Sequence, residues 1–164
     1  MTLATHIVIA AAVAKPLAAS NPIIGFFIAL VSHYLSDAIP HWDYKLHSID
    51  TKEISMEKRT WDYKTLVIKD LRSIVLDFFL GLAVGYFFLN PRTTEQFIYF
   101  LLVTVGAVLP DFLQGAYYTH RAEFLKPLQR FHDFMHTKIK LGPYPLVGIP
   151  FQLIVFFIAL YFIL

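Results

Sequence analysis

Cysteine is absent from the 164 residues. Disulfides and thiolate metal sites are therefore excluded, and any metal must be held by imidazole nitrogen or carboxylate oxygen. Charge is scarce as well. Asp, Glu, Lys and Arg make up 16% of the chain, against about a quarter in an ordinary soluble domain. A net charge of +2 is too small for a nucleic-acid partner, which needs a concentrated basic surface. Internal repeats and low-complexity linkers are missing, so residues 1–164 read as one domain. No basic residue precedes His6, and the first apolar stretch passes through Lys15-Pro16 into another; the segment is expected to stay in the mature fold.

What is abundant is apolar bulk. Hydrophobic residues reach 57%, with sixteen Phe and nine Tyr, and the mean hydropathy is +0.56. This predicts an all-α class: a polytopic membrane helical bundle of five hydrophobic segments plus one interfacial amphipathic helix. The first segment, Thr2 to Ala19, is Ala-rich, is interrupted by Pro16 and spans well only if packed against neighbours. The second opens on Asn21-Pro22, a capping residue before proline at the first helical position, and stops before Pro40. The third runs from Thr65 to Asn90, and the fourth from Thr94 to Leu109, where Pro110 is expected to check it. Residues 116–140 set Phe124, Leu125, Leu128, Phe131 and Met135 among basic residues, the pattern of a helix lying in the headgroup plane. The fifth covers Tyr144 to Leu164.

If all five cross, the loops at 41–72 and 116–143 share a side and carry Lys45, Lys52, Lys58, Arg59, Lys64, Lys69, Arg72, Arg121, Lys126, Arg130, Lys138 and Lys140; only Lys15 and Arg92 lie opposite. The positive-inside rule then expects those loops in the cytoplasm and the chain in an inner (cytoplasmic) membrane.

Ionisable residues inside such segments cost about 2.5–3.5 kcal/mol each on insertion scales and are functional candidates for that reason. Here His6, His33, Asp37, Asp70, Asp77 and Asp111 all fall toward the ends expected to be cytoplasmic, with His132 and His136 on the amphipathic helix beyond. His33 and Asp37 are four apart and share a helix face, and His41 follows four later beyond Pro40. His132 and His136 form an H-x-x-x-H pair able to grip one cation from a single helix. Imidazole with carboxylate suits Zn²⁺, Mn²⁺ or Fe²⁺. The expected ligands are His6, His33, Asp37, His41, Asp111, His132 and His136, holding one to three ions, most readily zinc. Asp77 or Asp70 could orient or deprotonate a water, and Arg72, Arg130 or Lys69 could neutralise an anionic headgroup. Simple interhelical hydrogen bonds would use the same residues.

Several of these segments look like a known family. Thr5-His6, the stretch Gly106-Ala107-Val108-Leu109-Pro110-Asp111, and Arg130-Phe131-His132 with His136 resemble the inner-membrane putative metal-dependent hydrolases. His33-Tyr34-Leu35-Ser36-Asp37 with Pro40-His41 is similar to the H-x-x-x-D element of zinc-dependent phospholipase C. The resemblance implies a multinuclear metal centre that hydrolyses phosphoesters, and the interfacial position makes membrane lipids and a lipid or lipid-linked substrate the expected partners. The signatures of other membrane enzymes are missing: there is no H-E-x-x-H, no paired-His box, and no Ser-Arg before the H-x-x-x-D. Two alternatives use the same buried residues: a metal-ion or proton transporter, and a structural subunit in which they only orient helices. A transport path would need polar residues on the opposite side, where the segments are almost bare.

Overall fold

The structure is a computed structural model that describes residues 1–17, 21–49, 61–120 and 122–164. Lys52, Lys58, Arg59 and Arg121, four of the residues behind the charge asymmetry, lie outside the described residues. Among the described residues the chain is helical and has no strand, with only two isolated bridges, His41 to Lys140 and Ile49 to Trp61. We number the helices α1 (Leu3–Ala14), α2 (Pro22–Asp37), α3 (Tyr63–Leu89), α4 (Thr94–His120), α5 (Lys126–Met135) and α6 (Pro145–Ile163). Three of them, α3, α4 and α6, are long and apolar enough to cross a membrane. At 1.5 Å per residue they reach about 40, 40 and 28 Å, against a hydrocarbon layer of about 30 Å. Much of their surface is apolar and exposed, including Phe79, Leu80 and Phe87 on α3 and Ile154, Phe157 and Phe162 on α6. That is the surface a lipid environment would cover.

Helix α1 is the centre of the bundle. It packs against α2, α3, α4 and α6, and nine of its twelve residues are buried. Alanine composition is what permits this, because a helix surrounded on all sides must let its neighbours' backbones come close. The neighbours answer with glycine. A Cβ at Gly81 of α3 would lie 2.7 Å from the Ala4 Cα, and one at Gly85 would lie 3.3 Å from Ile7 Cγ2. The buried cluster of Ile7, Ala10, Ala14, Ala29, Tyr99, Val103 and Ala107 joins α1, α2 and α4. Tyr99 satisfies its hydroxyl by donating to the Ala14 carbonyl.

Helix boundaries follow local chemistry. The Asn21 side chain accepts from Ile23 N at 2.8 Å, capping α2 with Pro22 in the first turn, as the sequence predicts. Asn90 ends α3 in the left-handed region (φ 47°), a conformation asparagine tolerates. A π-helical turn over Leu66–Asp70 lies within α3. The fourth helix departs from expectation. Pro110 does not end it, and α4 continues to His120, eleven residues beyond the expected stop at Leu109. Proline removes one intrahelical hydrogen bond, yet α4, packed closely on α2, continues through it. The amphipathic helix is correspondingly shorter than 116–140: residues 116–120 belong to α4, and α5 covers only Lys126–Met135.

Asp77, a candidate base from sequence, acts on α1. Its Oδ2 accepts from Leu3 N at 2.7 Å and its Oδ1 from Ala4 N at 3.2 Å, so it caps the N-terminus of α1 from a neighbouring helix. Thr2, in the cap position, makes no side-chain cap of its own. Asp77→Ala should therefore cost about 0.5–2 kcal/mol, the range for lost N-caps. Thermal unfolding in detergent, followed by circular dichroism, should show the drop, and an unchanged midpoint would remove the capping role.

A candidate metal centre at one end of the bundle

Three helix ends, the interior of α4 and one loop converge where α1 begins and α2 ends. Asp37, 1% exposed at the last position of α2, lies at the middle. Its Oδ1 is 3.2 Å from His6 Nε2 and 3.8 Å from His41 Nε2. Its Oδ2 is 3.3 Å from His33 Nε2 and 3.1 Å from His132 Nε2. Asp111, on α4 one residue after Pro110, brings Oδ1 to 3.7 Å from His33 Nε2 and 3.9 Å from His132 Nε2. The α-amino group of Met1 also reaches Asp37 Oδ1, at 2.9 Å, and Asp43 Oδ1, at 3.0 Å.

The histidines are held by their far nitrogens. His33 Nδ1 lies 2.7 Å from the Ala107 carbonyl, and His41 Nδ1 lies 2.8 Å from the Ile39 carbonyl. A carbonyl only accepts, so each Nδ1 carries a proton, and the neutral form of such a ring presents a bare Nε2. For His6 the partner is Ser36 Oγ at 3.0 Å. That hydroxyl gives its own hydrogen to the His33 carbonyl at 2.8 Å, which leaves it to accept from His6 Nδ1–H. Three imidazoles thus turn Nε2 toward the Asp37 carboxylate. All three Nε2 atoms are buried and lack a hydrogen-bond partner among the described residues. Buried nitrogens left this way are costly. A divalent cation satisfies them together, and imidazoles oriented through the opposite nitrogen are the usual form of metal-bound histidine. The residues fit a metal.

Among the described residues, two groups have donor atoms close enough to hold an ion: His33, Asp37, Asp111 and His132, and separately Asp37, His41 and His136. Asp37 belongs to both. The second group is assembled by main chain. Thr137 N donates to the Asp37 carbonyl at 2.8 Å, and the His41–Lys140 bridge lays the segment after α5 along the residues after α2. The rings of His41 and His136 are then 4.8 Å apart. His136 Nδ1 lies 3.0 Å from Lys140 Nζ. Burial first, then the Lys140 charge, pushes His136 down to about 4 despite Asp37, so it is neutral at pH 7, the form in which imidazole binds metal. His6 stacks on His33, with ring centroids 3.9 Å apart, and so lies beside the first group.

All seven expected ligands meet at this end of the bundle. The remaining candidates are placed differently. Asp70 is buried, and its carboxylate accepts from His47 N, His47 Nδ1 and Ser48 N at 3.0, 3.0 and 2.7 Å, fastening the loop after His41 to α3. Asp77 caps α1, as described. Lys69, Arg72 and Arg130 are exposed on the helix surfaces. Asp43 was not anticipated. Its Oδ2 is 3.1 Å from His41 Nε2. Burial works to raise its carboxyl, but the Met1 amine and His41 outweigh this and hold it well below the usual carboxylate range. Tyr44 beside it is raised by burial and then by the Asp77, Asp111 and Asp43 carboxylates. Spacing could have flagged Asp43, since H-x-D places two donors in one loop, but no helical period marks it. No family model, curated protein or solved structure matches this chain.

Proposed function

We propose that the chain is a membrane-embedded, metal-dependent hydrolase acting on a lipid or lipid-linked phosphoester at the cytoplasmic face of an inner membrane. One observation carries the reading. Three buried imidazoles, each anchored through Nδ1, direct unpartnered Nε2 atoms at one shared carboxylate. The resemblance to the inner-membrane metal-dependent hydrolases and the phospholipase C element supports the choice of reaction. The charge asymmetry supports the choice of side. In this reading α1 and α2 complete a set of five segments around the same centre.

His33, Asp37, Asp111 and His132 would hold one ion, Asp37, His41 and His136 a second, with His6 completing the nitrogen set. Zinc suits these donors best, and manganese or iron is compatible. A bound divalent ion supplies an acidified water and polarises the phosphoryl oxygen. Asp43, partly exposed and kept ionised beside His41, takes the water-orienting role that Asp77 and Asp70 cannot fill while they accept backbone N–H groups. Lys69, Arg72 and Arg130, exposed on the helix surfaces, would neutralise a phosphate headgroup.

Elemental analysis of protein purified without chelators tests this. Stoichiometric zinc, manganese or iron is expected. His33→Ala and His136→Ala should each lose part of it, because they belong to different groups. Metal-free parent protein, purified and kept in metal-containing buffer, would end the hydrolase reading.

A further inference from the structure

Helix α5 and the turn before it divide into three strips. Leu125, Gln129 and His132 face the bundle and are buried, with His136 next on the same line. Lys126, Arg130 and Asp133 form a charged strip beside them. Phe124, Leu128, Phe131 and Phe134 form an apolar strip on the third side and are exposed, Phe124 by 81% and Phe134 by 82%. An ordinary surface helix turns its apolar side inward. Here two histidines and an amide point in, and the aromatic rings point out.

This inversion bears on what holds α5 in place. A helix of ten residues is marginal on its own. Its inner strip gives the bundle one large apolar side chain, Leu125, which joins Tyr117 and Tyr118. The larger apolar area lies outside, so docking of α5 gains most from whatever covers that strip. The membrane is the cover at hand. Helix α4, long and apolar enough to cross it, ends at His120, shortly before α5 begins. An apolar strip bordered by charge is the form of a helix lying in the interface. Tyr34 of α2 connects the strip to the metal centre: its ring centroid lies 4.9 Å from Phe131, 5.7 Å from His132 and 5.6 Å from His33.

We infer that the apolar strip of α5 is seated in the acyl layer of the host membrane, and that this seating holds His132 and His136 at the two metal groups. Lipid and metal then each strengthen the binding of the other. The seating stands on the geometry of α5; the coupling rests on the metal reading proposed above.

Because the chain has no cysteine, single spin labels can be attached to the full chain in phosphatidylcholine nanodiscs through Phe124→Cys, Phe134→Cys and Lys126→Cys. The ratio of oxygen to chromium-oxalate collision rates should be at least about threefold higher for the two Phe positions than for Lys126. Equal ratios at all three overturn the seating. Shielding of the Phe positions from both agents, as under a protein partner, overturns it too. Zinc affinity is measured by chelator competition in the same nanodiscs. Phe124→Ser/Phe134→Ser should bind zinc at least about fivefold more weakly than the parent, and Phe134→Ser alone about twofold, with helical content retained by circular dichroism. Phe157→Ser/Phe162→Ser, on the exposed side of α6, should match the parent. Unchanged affinity in a folded α5 variant, or an equal loss in the α6 variant, overturns the coupling while the zinc-binding parent keeps the metal reading. A parent that binds no zinc sinks the metal reading and the coupling together, and the labels still decide the seating.

Discussion

Asp37→Asn should abolish metal binding at both groups at once. Asp37 is the one residue the two groups share, with His33, Asp111 and His132 on one side and His41 and His136 on the other. Removing its charge takes an anionic ligand from each. Losing an outer partner of a metal ligand already costs about 10–100-fold in affinity, so the loss of a shared ligand is expected to reach at least about 100-fold, or about 2.8 kcal/mol. The fold should survive, because an asparagine amide can donate to an imidazole Nε2 that otherwise lacks a partner. The measurement is metal content by elemental analysis, with affinity by competition against a chromophoric chelator and unfolding followed alongside. Stoichiometric metal in the variant would show that Asp37 organises the histidines without being a ligand.

The largest effect on stability is expected at Gly106. A Cβ there would run into the Phe26 carbonyl oxygen of α2 and meet Ala29 Cβ at 3.0 Å. Helix propensity alone favours Gly106→Ala by about 1 kcal/mol. Overpacking of this kind costs about 1–3 kcal/mol, and the obstructing atom is backbone, which cannot rotate away. The net change should therefore be destabilising for alanine and large enough in Gly106→Val to lower the yield of folded protein. The effect should also reach the metal centre. Gly106 precedes Ala107, whose carbonyl holds His33 Nδ1, so spreading α2 from α4 pulls that contact apart. Gly106→Ala is expected to lose metal affinity about tenfold, measured by the same chelator competition. A stabilised alanine variant would mean that the helices relax at no cost.

The features legible in the sequence are those governed by neighbours along the chain. Asn21-Pro22 starts a helix and Asn90 ends one because caps depend on a few adjacent residues. The His33–Asp37 pair follows from four-residue spacing. The grouping of His and Asp at one end followed from the cost of charge in an apolar segment, and seven expected ligands do converge there. What sequence could not supply is tertiary. Pro110 reads as a stop, yet α4, packed along α2, continues through it. Asp70 and Asp77 each read as a group that could orient or deprotonate a water, yet each is drawn to backbone N–H groups more than twenty residues away. Ser36, which fixes the His6 ring, carries no mark beyond being a serine in a helix. Asp43 owes its place to the loop after Pro40, where no periodicity applies.

The central position of α1 also has a consequence for biogenesis. A twelve-residue helix is about 18 Å long and cannot bridge a bilayer unaided. The helices that enclose it follow it along the chain, out to α6, whose Gln152 donates to Thr5 at 2.8 Å. Helix α1 thus gains its full surroundings only once α6 is in place, whereas His6 meets His33, Ser36 and Asp37 as soon as α2 lies beside it.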